Sequence, residues 1–480
     1  MPAVPGALRP THVTAADGDD QVKPASHPLT HAKLFPRFSA PSPRTMPYQW
    51  TDLFAAPNTA GEPAGVRNRL YFGDNRDALR EMAGHLAGQV DLVYLDPPFR
   101  TSRRWNARVP VGDATGVGPT REQTHTVPAY RDIWTPADYL TMLGERLDLA
   151  RELLSPTGSL IVHVDWRVGP HVQLLLDEIF GPGERAGPGR AGFRAEIIWG
   201  YGGGGAPHNT YRRKHDNLFW YTRSRKWTFH PEFRPYTDKT MARGLTAVKG
   251  PAYALRQEGA ARDTCWTDPG VQKILSPTAR ENWKYPTQKP TALLHRLIRI
   301  HSNPGEIVLD PFAGSGTTAV AAQELGRRWV LADASPLAVW IAIRRLCQVQ
   351  DHAASDAEAF ALYQQDLPPC TGGQVRAVRN QSESGSVWWT LTGSPPGSSS
   401  GAEAVHRHPL DLVEYWALDP AFGTVQDPAG RPVFRHMWRT FRAPGSRSLV
   451  RSSGLFAPAA GSSPVLTLVD PLGRAERERL

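Results

Sequence analysis

The chain has 480 residues, 40% hydrophobic and 21% charged, with a formal charge of +9 and a pI near 9.5. That length exceeds one ordinary core and predicts two domains with tails, while the basic balance suits a polyanionic partner only as a surface-field argument. Three scattered cysteines, Cys265, Cys347 and Cys370, give neither a disulfide framework nor a CxxC zinc site, so a reducing cytoplasm is the expected home.

Residues 1–60 are rich in Pro and Ala, lack an apolar period and show no basic-then-apolar leader pattern. They are expected to be a disordered tail, with Met46 a second candidate start. From Arg69 a regular alternation begins. "RLYFG" reads as a strand, "RDALREMAGHL" as a helix and "VDLVYLD" as a strand. An Arg-rich loop follows, then helix "ADYLTMLGERLDLARELL", strand "GSLIVHVD" and helix "GPHVQLLLDEIF". "AEIIWGY" and "NLFWYT" read as strands flanking a "GGGG" loop, and residues 231–285 are irregular, aromatic and polar. The alternation resumes with helix "TALLHRLIRIHS", strand "EIVLD", helix "GTTAVAAQEL", strand "RWVLAD" and helix "PLAVWIAIRRL". The apolar run in that last helix, residues 336–343, is far short of the ~20 residues of a membrane span, so no membrane partner is expected.

Short apolar strands alternating with amphipathic helices predict an α/β fold with a mostly parallel, doubly wound, Rossmann-like sheet. Past about residue 370 the texture changes: 371–405 reads as a linker or loop, and 406–480 as a small C-terminal β-rich module.

"EIVLDPFAGSGTT" places Asp310 at a strand end, then a tight glycine turn, then a helix. Gly314 and Gly316 lack the Cβ that would keep a ligand away from the backbone. The next strand ends in Asp333, 23 residues beyond Asp310, where an acid can accept bonds from ribose hydroxyls. A dinucleotide fingerprint lacks its third glycine in GSGTTA, and a P-loop lacks its lysine. With no phosphate to cradle, Asp310 suits a cationic amino-acid moiety. S-adenosyl-L-methionine carries that ammonium and a ribose without phosphate.

"DLVYLDPPFR" ends another strand in Asp96, Pro97, Pro98 and Phe99. A loop explains it blandly, since Pro ends strands and Asp favours turns. An active site explains it chemically. The exocyclic amino group of adenine or cytosine is a poor nucleophile because its lone pair is delocalised into the ring. A carboxylate accepting one N–H and the Pro97 carbonyl accepting the other would hold the nitrogen closer to tetrahedral, with two prolines fixing φ. Phe99 offers a stacking face worth ~1–3 kcal/mol. A base inside a duplex would have to be flipped out first.

"DPPF" followed by "YPTQKP" and "VLDPFAGSGTT", with "LYFGDN" before them and "SPTGSLIVHVDW" and "KHDNLFWYT" between, resembles the β-class S-adenosylmethionine-dependent DNA amino-methyltransferases. These modify N6 of adenine or N4 of cytosine and include the modification subunits of type III systems. The similarity runs from about Arg69 to Leu346, in the family's circularly permuted motif order, catalytic before cofactor. It implies Asp96, Pro97, Pro98 and Phe99 as the catalytic loop, with Phe99 where Tyr is more usual. It implies cofactor contacts from Asp310, Phe312, Gly314, Ser315, Gly316, Thr317 and Asp333, with Asp74 on the cofactor's adenine and Lys289 beside the cofactor. Asp74 also reads as a plain helix N-cap. The implied division is a catalytic half at 61–230, a target-recognition insert at 231–285 and a cofactor half at 286–370.

Arg100, Arg103, Arg104 and Arg108 follow the catalytic residues with no acid among them, and a mobile basic loop there would grip phosphates beside a flipped base. Arg212, Arg213 and Lys214 are further DNA candidates, although charges at hairpin ends are often only solvated surface. Trp105 reads as a loop anchor rather than a wedge, and His163 as structural. No metal constellation is present in the sequence. The expected activity is site-specific methylation of adenine N6 in double-stranded DNA. N4-cytosine methylation is the nearest alternative, then RNA or protein methylation, then a non-catalytic DNA-binding protein. A cognate restriction or defence protein and a homodimer are the expected protein partners.

Overall fold

A computed structural model describes residues 48–54, 67–110, 124–202, 208–244, 255–271, 279–352, 359–364, 375–381, 387–393, 415–419, 426, 434–436, 438–441, 465–469 and 475–479. Strands β1 to β3 are Gln49–Phe54, Asn68–Phe72 and Val90–Leu95; β4 and β5 are Arg103–Pro110 and Thr124–Asp132. Then come β6 (Leu154–Asp165), β7 (Gly192–Gly200), β8 (His215–Thr222), β9 (Phe233–Arg234), β10 (Ala260–Ala261) and β11 (Cys265–Trp266). β12 to β14 are Ile307–Asp310, Arg328–Asp333 and Phe360–Gln364. The helices are α1 (Asn75–Leu86), α2 (Pro136–Leu153), α3 (Gly169–Phe180), α4 (Asp238–Gly244), α5 (Thr291–His301), α6 (Thr317–Glu324) and α7 (Pro336–His352).

Eleven strands form one sheet in the order β11-β7-β8-β6-β3-β12-β13-β2-β14-β1-β18, where β18 is Phe434–Arg435. From β6 to β14 every neighbouring pair is parallel; on one flank β8 runs antiparallel to β6 and β7, and on the other β1 runs antiparallel to β14. This is the doubly wound, mostly parallel, Rossmann-like sheet that the sequence predicts. From β3 the chain leaves through α2 to β6, and from β12 it leaves the opposite way through α6 to β13. The carboxyl ends of β3 and β12 therefore border the topological switch point, where such sheets open a crevice.

The packing follows from the side chains. Leu92, Val93, Tyr94 and Leu95 of β3 are all buried, as a strand covered on both faces requires. On α5, Leu293, Leu294, Leu297 and Ile298 form the apolar stripe that packs on α6. Small residues Ala319, Ala321 and Ala322 let α6 lie between α5 and α7. Gly316 begins that helix at φ 75°, and a Cβ there would stand 2.7 Å from the Ala342 Cβ.

Three expectations change. Within the stretch read as a disordered tail, Gln49–Phe54 form β1, held by pairing with β14 and by Phe54 stacked on Phe360 at 4.7 Å; residues 1–47 and 55–60 lie outside the described residues. The basic loop is a two-stranded ribbon, β4 with β5, whose Ala107, Val127 and Ala129 pack on Tyr285, Leu337 and Ala338; residues 111–123 lie outside the described ones. Within the linker, β15 (Val375–Gln381) and β16 (Val387–Gly393) pair antiparallel.

The C-terminal segments form a four-stranded antiparallel sheet of β19 (Trp438–Phe441), β17 (Tyr415–Asp419), β20 (Val465–Val469) and β21 (Ala475–Arg479). β18 instead joins the main sheet beside β1, where buried His436 bonds to Asp52 at 2.9 Å. Among the described residues no helix is long and apolar enough to cross a membrane.

Candidate active site

The register that pairs Val308 with Leu92 and Leu309 with Val93 brings the ends of β12 and β3 to one edge of the sheet. A cavity of about 500 Å³ opens there. Asp96, Pro97, Pro98 and Phe99 line it from one side; Asp310, Phe312, Gly314, Ser315, Thr317 and Asp333 line it from the other. Asp74 and Lys289 reach the same space. Gly316 does not line it; its missing Cβ serves the contact of α6 with Ala342 on α7.

On the β3 side, the Lys289 ammonium donates to both carboxylate oxygens of Asp96, at 2.7 and 2.5 Å, and lies 4.9 Å from the centre of the Phe99 ring. Lys289, expected beside the cofactor, is thus paired with Asp96. Asp132 on β5 was missed in the sequence and holds this loop. Its Oδ1 accepts the Arg100 N–H, and its Oδ2 accepts the Thr101 N–H and hydroxyl, at 2.8, 2.8 and 2.6 Å. Arg100 and Ser102 have φ of 55° and 57°, a left-handed conformation that costs a non-glycine residue and that these bonds maintain. Trp105 is an anchor as expected: its Nε1 donates to the Thr101 hydroxyl at 3.3 Å and its ring stacks on Tyr130.

Behind Phe99 lies a buried network. The His163 ring is 6.0 Å from the Phe99 ring; its Nδ1 meets the Tyr94 hydroxyl at 2.8 Å and its Nε2 meets Asp216 Oδ2 at 3.1 Å. Burial alone would raise the Asp216 carboxyl, but the bonds from His163 and Tyr201 and the nearby Lys289 charge together hold it below the ordinary value. His163 is structural, and what it supports is the platform beneath Phe99.

On the β12 side, Asp310 is buried. Its Oδ1 accepts the Phe312 N–H at 2.9 Å and its Oδ2 the Thr318 hydroxyl at 2.5 Å. No lysine or arginine among the described residues pairs with it, and burial pushes its carboxyl up to about 7. Half-buried Asp333 accepts the Gly314 and Ser335 N–H groups, each at 2.8 Å, and its enclosure raises it to about 6. Gly314 turns at φ 51° over Tyr285, whose ring a Cβ would meet at 3.3 Å. The Ser315 and Thr317 hydroxyls accept from Arg345 of α7, at 3.0 and 2.8 Å, which ties the glycine turn to the helix behind it.

Asp74 is the helix N-cap that the sequence allows, and it also lines the cavity. It caps α1 by accepting the Arg76 N–H at 2.8 Å, and it borders the cavity, where Arg146 bonds its Oδ1 at 2.9 Å. Arg146 and its partner Asn75, 2.6 Å apart, carry no sequence motif and were not foreseen.

Around the mouth, Arg103 and Arg104 are exposed on the ribbon, while the Arg108 side chain lies outside the described residues. β8 runs antiparallel to β6, with Asp216 opposite Asp165, so the segment entering β8 emerges at the same edge as Asp96. Arg212 and Arg213 are exposed there, Lys214 is half-buried, and the Arg213 guanidinium lies 4.0 Å from the ring centre of exposed Trp166.

The profile of the DNA methylase family, N6 and N4 methyltransferases, matches residues 90–344, just over half of the chain. The DNA adenine methyltransferase YhdJ of Escherichia coli is 24% identical over 302 residues, which cover 62% of this chain and 90% of that protein. The StyLTI Mod subunit, a type III restriction-modification enzyme of Salmonella typhimurium, is 24% identical over 346 residues. The match covers 56% of this chain and about half, 51%, of the subunit. A crystal structure of the M1.HpyAVI-SAM complex is 20% identical with a TM-score of 0.37, covering 58% of this chain and 98% of its own.

Proposed function

The chain belongs to the DNA methylase family, and from that premise we propose that it methylates N6 of an adenine flipped out of double-stranded DNA. The observation that carries this reading is the cavity shared by Asp96–Pro97–Pro98–Phe99 and Asp310, at the switch point of the sheet. Asp96 in place of a leading serine, and the likeness to a DNA adenine methyltransferase, support adenine over cytosine.

The cofactor half fits the family's methyl donor, S-adenosyl-L-methionine. Asp310 is a buried carboxylate that meets neutral donors and, among the described residues, no cation, which suits a site for an ammonium group. Asp333, held by backbone N–H groups, lines the cavity where ribose hydroxyls would lie, and Asp74 borders it for the adenine amino group. Phe312 and Gly314 would form the wall beside it. When bound, the cofactor supplies an electrophilic methyl carbon on a sulfonium.

The remaining work is done by the chain. Asp96 accepts one N–H of the target amino group and the Pro97 carbonyl the other, which turns the nitrogen lone pair out of the ring plane. Both acceptors are fixed in advance, by Asp132 through the following loop and by the two prolines, so little reorganisation is needed as charge develops. Phe99 carries the base on its face. Arg100, Arg103, Arg104, Arg108, Arg212, Arg213 and Lys214 bind the flanking phosphates, positioning without reading sequence. Residues 231–285 supply target recognition, and the cytoplasm is the compartment. The likeness to a type III modification subunit supports a cognate restriction or defence partner, and copurification with light scattering tests both that partner and a homodimer.

Purified protein with methyl-labelled S-adenosylmethionine and unmodified genomic DNA should label the DNA, and the labelled nucleoside should be N6-methyladenine. N4-methylcytosine would overturn the adenine assignment; label in RNA or protein alone would overturn the substrate class.

A further inference from the structure

The groups that the target base needs are already covered. One ammonium, that of Lys289, contacts both oxygens of Asp96 and lies over the Phe99 ring at 4.9 Å. A base cannot present its amino group to Asp96 and its ring to Phe99 while Lys289 holds both. Lys289 stands two residues before α5 on a long flexible side chain, and its surroundings are shared with Asp310 and Phe312. The cofactor's amino-acid moiety carries a carboxylate as well as an ammonium. Asp310 suits the ammonium, whereas the carboxylate needs a cation. Arg146, the other enclosed cation of this cavity, is already bonded to Asp74, Asn75 and the Met142 carbonyl.

We propose that Lys289 is an exchange latch: it caps Asp96 and Phe99 before the cofactor binds, and it moves to the cofactor's carboxylate when the cofactor arrives, opening the base site. This rests on the S-adenosylmethionine reading of the cavity. The exchange swaps one ion pair for another, so its net cost is small, and it exposes Asp96 only when a methyl group is at hand. Coupling of this kind is reciprocal. Whatever loosens the hold of Asp96 on Lys289 must tighten cofactor binding, because the free cation no longer has to be drawn away.

Isothermal titration with S-adenosylhomocysteine and with its decarboxylated analogue tests the latch without needing a DNA sequence. Lys289→Met should weaken S-adenosylhomocysteine about tenfold, the loss of one charge-assisted bond, while changing the decarboxylated analogue less than about twofold. Asp96→Asn should tighten S-adenosylhomocysteine about threefold to tenfold with Lys289 present and leave it unchanged in the Lys289→Met background. The double variant has no unpaired charge left, so it guards against a loss of folding in Lys289→Met alone. Equal weakening of both ligands by Lys289→Met, or no tightening by Asp96→Asn, overturns the latch while leaving the cofactor reading intact. A wild-type protein that binds neither ligand overturns the cofactor reading, and the latch with it.

Discussion

Strands β3 and β12 lie side by side and end in nearly the same residues, Leu95-Asp96-Pro97-Pro98-Phe99 and Leu309-Asp310-Pro311-Phe312. Their aspartates nevertheless live in opposite circumstances. Asp96 faces a lysine, and its loop is held from outside by Asp132. Asp310 is buried, meets only an amide and a hydroxyl among the described residues, and is pushed up to about 7. The first acid is paired with a cation, whereas the second, among the described residues, has none. Chemistry here is assigned by surroundings rather than by the acid itself.

The largest break in that comparison comes at Asp96. Asp96→Ala should lower methyl transfer by at least ~10³-fold without loss of S-adenosylhomocysteine binding, measured by single-turnover assay and titration. If cofactor binding is lost instead, the two strand ends have been given each other's roles.

Asp310→Asn should do the reverse, weakening S-adenosylhomocysteine about tenfold to hundredfold through loss of a charged partner. The pH dependence follows from the raised value. The folded protein keeps the Asp310 proton up to about 7, while the unfolded chain releases it near the ordinary carboxylate value. The folded state thus binds more protons in that window, and stability falls as pH rises through it. Ligand binding needs the ionised form, so S-adenosylhomocysteine affinity should rise toward pH 7 and level off above it. Asp310→Asn should flatten that profile and melt no lower than wild type at pH 8. A profile unchanged by the substitution would show that Asp310 does not meet the ammonium.

Phe99→Ala should cost about 1–3 kcal/mol in kcat/KM for DNA, with little effect on cofactor affinity, and Phe99→Tyr should stay near wild type. The smallest effect lies at the rim. Replacing Arg103 and Arg104 together by Ala should weaken binding to all duplexes alike and reduce the salt slope by about two phosphates' worth, read from affinities across a salt series.

What could be read in advance was what is local. The helix Gly169–Phe180 and the strand Arg328–Asp333 match their expected bounds, because a 3.6-residue period and a short apolar run carry their own signal. β1 and the β4–β5 ribbon were misread because each depends on a partner strand: β1 pairs with a segment about 310 residues away, and no composition announces that. The same limit applied to the site. Asp96 and Asp310 sit in motifs and were visible, whereas Asp132, Arg146 and Asn75 act through bonds to distant atoms. Gly316 reads as a ligand approach from its motif, and the structure gives its missing Cβ a helix contact, since both uses ask only for a missing Cβ. The pairing of Lys289 with Asp96 spans 193 residues and could come only from the fold.

The central claim is that these two strand ends form one site that methylates adenine in DNA. Its most direct test is mass spectrometry of nucleosides from the DNA of a host that lacks its own DNA methyltransferases and expresses this chain. N6-methyladenine should accumulate with the wild-type protein and be absent with Asp96→Ala. Unmodified DNA from cells containing the folded wild-type protein, or N4-methylcytosine in place of N6-methyladenine, would contradict the account.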